Sequence, residues 1–337
     1  MFILGIDTSC DDTCSSIVED GKRMLSNIVS SQATVHRSYG GVVPELASRE
    51  HIRNIVPVVR ESLERASLRN KDIHAIAVTV GPGLVGALLI GIYFAKAFSY
   101  ARGIPLIGVN HLEGHILSIF LEPKIPSFPF VALTVSGGHT NIYHVRGFGD
   151  YTVLGQTLDD AAGEAFDKVA KLLGLGYPGG GIIEKTARDG RVNAIHFPRS
   201  YLSKGSLDFS FSGLKTAVAI YINKWRNNND NQISLHDIAA SFQSAVVDIL
   251  IDKVIAAADK VGVKTIMLAG GVARNNFLRN RLKEKILGKG IDLYIPQPEL
   301  CTDNGAMIAV AGYHRLMKGY RDDLTLDARS RFPLHQI

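Results

Sequence analysis

An order of elements that occurs twice constrains this chain more than any other feature. Strand patterns at "FILGI", "CSSIVE" and "KRMLSNIVS" precede a helical stretch over 44–69, a strand at "AIAVTV", a helix over 85–102 and a strand at "PLIGV". The order returns at "FVALTV", "TNIYHV" and "YTVLGQ", then helical segments, the strand "TIMLAG", a helix over 273–287, the strand "IDLYIP" and a last helix over 304–318. Asp20-Gly21 is a strong two-residue hairpin signal between the second and third strands. The pattern predicts an α/β protein built from a duplicated β-β-β-α-β-α unit, with ligands bound between two lobes. A length of 337 residues suits two domains of about 150 each. We place the first lobe at 1–125 and the second at 126–302, a helix at about 303–318 packing back toward the first lobe, and a C-terminal tail at 319–337.

Composition excludes several classes. With 46% hydrophobic and 20% charged residues, the chain is neither disordered nor of low complexity. The longest apolar run, "IAVTVGPGLVGALLIGIYFA", is broken by Gly81-Pro82-Gly83 and reads as strand, turn and buried helix rather than a membrane span. "MFILGID" has no basic region before its apolar run, so no signal peptide is expected and the location is read as cytoplasmic. Cys10, Cys14 and Cys301 make an odd count, and C-x-x-x-C is no redox spacing, which favours reduced thiols. The net charge of +5 includes a basic cluster, "ARNNFLRNRLKEK" (273–285), and a basic tail from Arg315 to Arg331. These are either solvated faces or the footprint of a polyanionic partner.

Several turns carry candidate chemistry. The first hairpin of each repeat has a polar turn, "DTSCDDT" (7–13) and "SGGHT" (136–140), whose small residues leave backbone N–H groups free to surround phosphate oxygens, unless both are ordinary surface hairpins. "LAGGVARNN" (268–276) runs from a strand into a helix N-terminus, where the dipole favours an anion. "GYPGGGIIE" (176–184) reads as a loop against a flat ligand or as a linker. "GPGLVG" (81–86) is no P-loop, because Ala87 and Leu88 stand where Lys and Ser or Thr belong.

The stretch "GVNHLEGHI" (108–116) places His111 and His115 one helical turn apart, able to share one ion. In a metallopeptidase helix the glutamate follows the first histidine directly. Here Glu113 lies two residues on, about 200° around the helix, so it faces away from that ion. Asp303 in "CTDNGAMIA" is the best third ligand, in competition with a role as helix N-cap.

Taken together, "GIDTSCDDT", "GGVVPELASREH", "GPGLVGAL", "GVNHLEGH", "VSGGHT", "AAGEAFDKVAKLLGLGYPGGG", "DFSFSGLKTAV", "GGVARNNFLR" and "CTDNGAMIA" resemble the bacterial TsaD family of tRNA threonylcarbamoyladenosine transferases. The resemblance runs from residue 2 to about 315. It implies RNase H-like lobes in the superfold of actin, the Hsp70 ATPase domain and the sugar kinases. It also implies transfer of threonylcarbamoyl from threonylcarbamoyl-AMP to N6 of adenosine 37 in tRNAs that read codons beginning with A. His111, His115 and Asp303 would then hold one divalent ion, iron or zinc. Thr134, Val135, Ser136, Gly137 and Gly138 would surround the donor's phosphate and metal. Asp167, Gly180 and Glu184 would contact the nucleoside and Asn275 the adenine side, in a site that ATP, ADP or AMP can also occupy. Archaeal relatives carry a tyrosine where this chain has Thr134, and many bacterial ones an aspartate where it has Glu184. Asp11 is the carboxylate expected to take part in the chemistry, ahead of Asp7 and Asp12. Implied partners are tRNA, the TsaB paralogue, the TsaE P-loop ATPase and a TsaC-type enzyme that makes the donor. The competing readings are a metalloendopeptidase, the family's former label, and a sugar kinase or ATPase of the same fold.

Overall fold

The computed structural model describes residues 1–227 and 232–334, so the last three tail residues lie outside it. The chain divides into two units: residues 1–127, 146–151 and 296–337 form the first, and 128–145 with 152–295 the second.

In the first unit, β1 (Phe2–Asp7), β2 (Asp12–Glu19) and β3 (Arg23–Ser31) form an antiparallel meander. Asp20 and Gly21 both take positive φ, 51° and 65°, as the paired turn positions require. After α1 (Ala33–Arg37) and α2 (Pro44–Arg65) come β4 (Ala75–Gly81), α3 (Val85–Arg102), β5 (Leu106–Asn110) and α4 (His111–Leu117). The sheet order is β3-β2-β1-β4-β5, with β1, β4 and β5 parallel. β4 and β5 are buried along their whole length, the signature of parallel strands covered on both faces. On one face α2 lays down Ile55, Val58, Val59 and Leu63, a helical-period stripe, and each fully buried side chain of this size contributes about 1.5–3 kcal/mol.

The second unit repeats the plan. β6 (Phe130–Val135), β7 (Thr140–Gly147) and β8 (Asp150–Gln156) lead through α5 (Ala162–Leu173), α6 (Gly179–Ala187), α7 (Ser212–Asn227) and α8 (Leu235–Val261) to β9 (Thr265–Ala269), α9 (Asn276–Ile286) and β10 (Asp292–Tyr294). Its order, β10-β9-β6-β7-β8, is the first sheet's order strand for strand, so the duplication read from sequence is real. α8 is set by both ends: Ser234 and Asp237 form a capping box, and Gly262 closes the helix at φ 68°.

The chain then returns to the first unit through α10 (Pro298–Cys301) and α11 (Gly305–Met317). α11 lies on β1 and β4 so closely that side chains are excluded at the crossing. A Cβ on Gly5 would come within 2.1 Å of the Gly305 carbonyl oxygen, and one on Gly312 within 2.3 Å of Ala77 Cβ. The tail is docked on the same unit: Asp322 takes the Gly108 N–H at 2.7 Å, Arg329 N–H donates to Val80 O at 2.7 Å, and Phe332 and Leu334 are buried. Among the described residues no helix is long and apolar enough to cross a membrane.

The glycine-rich stretch 176–184, expected to be a loop, becomes α6 from Gly179 onward, with Pro178 as its N-cap residue. Close packing is the reason for the glycine there: a Cβ on Gly179 would meet Phe166 O and Asp167 Cα, each at 2.6 Å, in α5.

Candidate active site

α4 begins where β5 ends, and Asn110 makes the junction. Its Oδ1 accepts from the N–H of Leu112 at 2.9 Å and of Glu113 at 3.4 Å, capping the helix, while its Nδ2 donates to Phe332 O in the tail at 2.6 Å. His111 and His115 are buried, their rings edge to face with centroids 4.6 Å apart. Asp303 directly precedes Asn304, which takes the N-cap role of α11 by accepting from Met307 N–H at 2.8 Å. The carboxylate of Asp303 is therefore turned to the histidines instead: its Oδ1 lies 3.5 Å from His111 Nε2 and 3.2 Å from His115 Nε2.

A shell behind His111 fixes which nitrogen faces Asp303. Ser9 Oγ donates to Asp7 Oδ2 at 3.3 Å and meets His111 Nδ1 at 3.1 Å. With the Ser9 proton committed to Asp7, His111 donates through Nδ1 and keeps its lone pair on Nε2, the form a metal ligand needs. Burial opposes charge on His111, but Asp303 and Asp7 outweigh it and push its pKa up to about 9, so without an ion Nε2 also carries a proton, which a metal ion bound beside these carboxylates would displace. Burial lowers the pKa of His115. Among the described residues its Nδ1 has no hydrogen-bond partner, and its Nε2 faces Asp303 without the alignment of a hydrogen bond. Leaving such buried nitrogens unserved costs about 1–3 kcal/mol, which a shared ion on Nε2 would relieve. The ligand atoms of His111, His115 and Asp303 all lie within 4.8 Å of one another, and two imidazoles with one carboxylate suit iron or zinc.

Asp11 and Asp12 lie at the turn between β1 and β2. Burial raises both: Asp11 is partly held back by a hydrogen bond with Cys10, whereas Asp12, with Asp303 nearby, is pushed up to about 7. His51, buried beneath this turn, ties it down through Nδ1 to Thr13 Oγ1 at 2.8 Å and Nε2 to Cys10 O at 3.0 Å. Cys10, Cys14 and Cys301 form no disulfide.

In the second unit, the β6–β7 turn, α5, α6 and the start of α9 are linked. Thr134, Val135 and Ser136 are buried, and Thr134 Oγ1 has no hydrogen-bond partner among the described residues. A Cβ at Gly137, Gly138 or Gly180 would meet open space. Gly163, at the start of α5, is packed against the turn, where its Cβ would fall 2.4 Å from Ser136 O. Asp167 accepts from Gly179 N–H at 2.6 Å. Glu184 Oε1 accepts from the backbone N–H and the Nδ2 of Asn276, at 3.0 and 2.9 Å. Asn275 caps α9 by accepting from Leu278 N–H at 2.9 Å and donates to Gln243 at 2.8 Å. A backbone turn with open glycines beside two helix N-termini is suited to an anionic, flat ligand.

Sequence comparison matches residues 23–310 to TsaD, described as tRNA N6-adenosine threonylcarbamoyltransferase. The chain belongs to the TsaD family. It is 52% identical over 334 residues to the tRNA N6-adenosine threonylcarbamoyltransferase of Syntrophus aciditrophicus, covering 99% of this chain and 98% of that protein. To the same-named protein of Geotalea uraniireducens it is 53% identical over 337 residues, covering 100% and 98%. Solved structures of similar fold include HypF of T. kodakarensis, with a TM-score of 0.63 at 16% identity over 96% of this chain and 49% of that one. Component A of the Acidaminococcus fermentans (R)-2-hydroxyglutaryl-CoA dehydratase has a TM-score of 0.55 at 17% identity, over 94% and 99%. At such identities the likeness is one of fold alone.

Sequence reasoning missed the residues that support the histidine cluster. Asp7 and Ser9 hold His111, yet in sequence Ser9 is only part of a polar turn and Asp7 only a lesser candidate for the reacting carboxylate. Glu113 is turned to Arg315 and Tyr151 rather than to the histidines, as its position predicts, but it is 1% exposed. Its Oε2 accepts from Arg315 Nη1 at 2.8 Å and its Oε1 from Tyr151 OH at 3.1 Å. Burial raises its carboxyl and Arg315 and Tyr151 offset only part of that rise, while the 2.8 Å contact pairs the carboxylate with a guanidinium that is itself largely buried.

Proposed function

We propose that this transferase moves the threonylcarbamoyl group of threonylcarbamoyl-AMP onto N6 of adenosine 37 in tRNAs reading codons that begin with A. Family membership supports the tRNA transferase activity, and the observation that carries the metal-assisted reading is the buried pair of imidazoles converging on Asp303. One divalent ion, iron or zinc, held by His111, His115 and Asp303 would polarise the donor's oxygens and fix its position. The donor is a mixed anhydride, so no hydrolytic water has to be made. N6 forms the new C–N bond, the C–O bond to phosphate breaks, AMP leaves with its electron pair, and the surplus proton on N6 passes to a carboxylate. We assign that role to Asp11, whose burial-raised pKa makes it a better proton acceptor than an exposed aspartate.

In the same reading Thr134, Val135, Ser136, Gly137 and Gly138 take the phosphate. Asp167, Gly180 and Glu184 take the nucleoside and Asn275 its adenine side, with AMP, ADP or ATP able to bind in place of the donor. The existing duties of Glu184 and Asn275 as partners of the α9 N-terminus mean that a ligand would share their polar atoms rather than claim them outright. The metalloendopeptidase reading loses its general base, because Glu113 is committed to Arg315 and Tyr151. The location proposed is the cytoplasm, and the partners are TsaB, TsaE and a TsaC-type enzyme.

The test is reconstitution with those partners, unmodified tRNA, threonine, bicarbonate and ATP, followed by digestion of the tRNA and mass analysis for the modified nucleoside. Asp11→Asn should abolish its formation with metal content retained. An Asp11→Asn protein as active as wild type, beside an inactive Asp12→Asn, would move the role to Asp12.

A further inference from the structure

α4 has seven residues, under two turns, so its own hydrogen bonds do little to hold its orientation. Yet orientation is what its histidines depend on. A 10° turn about the axis would swing an imidazole nitrogen at a radius of about 5–6 Å through about 1 Å, and metal–ligand distances tolerate only about 0.2 Å.

Contacts with α11, with the segment before it and with Tyr151 of β8 resist that turn at three levels. Asp303 faces the histidines at 3.5 and 3.2 Å. Further along, Ile308 and Met307 close on Gly114, where a Cβ would lie 2.9 Å from Ile308 Cδ1 and 3.2 Å from Met307 Cγ. Last, on the side of α4 opposite the histidines, Glu113 is gripped by Arg315 at 2.8 Å and Tyr151 at 3.1 Å. Buried ion pairs seldom add net stability over apolar residues of the same volume. What a charged, doubly hydrogen-bonded carboxylate on the back of a short helix adds is a fixed rotation.

We infer that Glu113, Arg315 and Tyr151 are positioning residues that lock the rotation of α4 and thereby the geometry at which His111 and His115 meet Asp303. The inference rests on the metal reading above and extends it to three residues that touch neither ion nor substrate.

Cobalt(II) tests it in the intact protein, because its visible absorption reports ligand geometry independently of catalysis. Wild type, Glu113→Gln and Tyr151→Phe are titrated with Co2+, with folding checked by circular dichroism and thermal unfolding. Glu113→Gln keeps the volume and one acceptor but removes the charge. It should bind Co2+ more weakly by on the order of 10-fold or more, as losses of outer-shell partners do, with a shifted absorption band. Tyr151→Phe, which keeps the ion pair, should shift the same band less. A folded Glu113→Gln protein with wild-type affinity and spectrum overturns the lock while leaving the metal reading standing. Where Glu113→Gln does not fold, Tyr151→Phe with both properties unchanged overturns it. A wild-type protein that binds no Co2+ overturns both.

Discussion

A close backbone approach between β1 and α11 gives a sharp test of how α11 is seated. In Gly5→Ala the new Cβ would lie 2.1 Å from Gly305 O, 2.6 Å from Ala309 N and 2.8 Å from Ala309 Cβ. Two of these atoms are backbone, so no side chain can swing aside; α11 must lift by roughly 1 Å to restore ordinary contact. Overpacking of this kind costs about 1–3 kcal/mol. The substitution also relieves the entropy cost of glycine in a strand, about 0.5–1 kcal/mol in the other direction. The clash wins, leaving a net loss of about 1–2 kcal/mol. Urea unfolding should show a lower midpoint at an unchanged slope. Because Asp303 is joined to the lifted end of α11, Co2+ affinity should fall as well, whereas Gly137→Ala, whose Cβ meets open space, should leave the unfolding midpoint where it is. A Gly5→Ala protein as stable as wild type would refute the packing argument.

The other expectations concern the site. His111→Ala and Asp303→Ala should each lower metal content on elemental analysis and abolish transfer; a metal-replete, active Asp303→Ala protein would remove that residue from the ligand set. Gly137→Val should fold normally and lose binding of AMP-type ligands in calorimetry, and undiminished binding would take the β6–β7 turn out of the phosphate site. Arg281 and Lys285 are about half exposed and only loosely paired, with Glu284 at 3.5 Å and Asp252 at 3.8 Å. Reversing both to Glu should weaken tRNA binding in a filter assay and lower the slope of log affinity against log salt by about 0.7–0.9 for each phosphate no longer neutralised. An unchanged slope would make this cluster a solvated face.

Local signals were the legible part of the fold. The Asp20-Gly21 turn and the apolar runs of β4 and β5 each depend on residues a few positions apart, and the doubled element order exposed the architecture. The histidine pair was legible for the same reason, and so was the direction in which Glu113 points. Its burial was not, because its partner Arg315 lies 202 positions away. A comparable distance in sequence hid the contact of Asn110 with Phe332, 222 positions on. Gly179 misled because glycine is read from sequence as conformational freedom, whereas here its use is to let α6 approach α5.

The way the first unit is assembled from both ends of the chain has a consequence for its biogenesis. β1 needs α11 as its cover, α4 needs Phe332 against its cap residue, and the histidines need Asp303, yet all three come from beyond residue 296. Residues 128–295 must be made in between, on the order of 10–30 s at translation rates of about 5–20 residues per second. During that interval the first sheet leaves the ribosome with one apolar face uncovered, a natural client for a holding chaperone. The second unit, nearly continuous in sequence, can fold before the first one closes. The histidines, made early, meet Asp303 only near the end of synthesis, so in the proposed reading a metal ion would load onto a nearly finished chain.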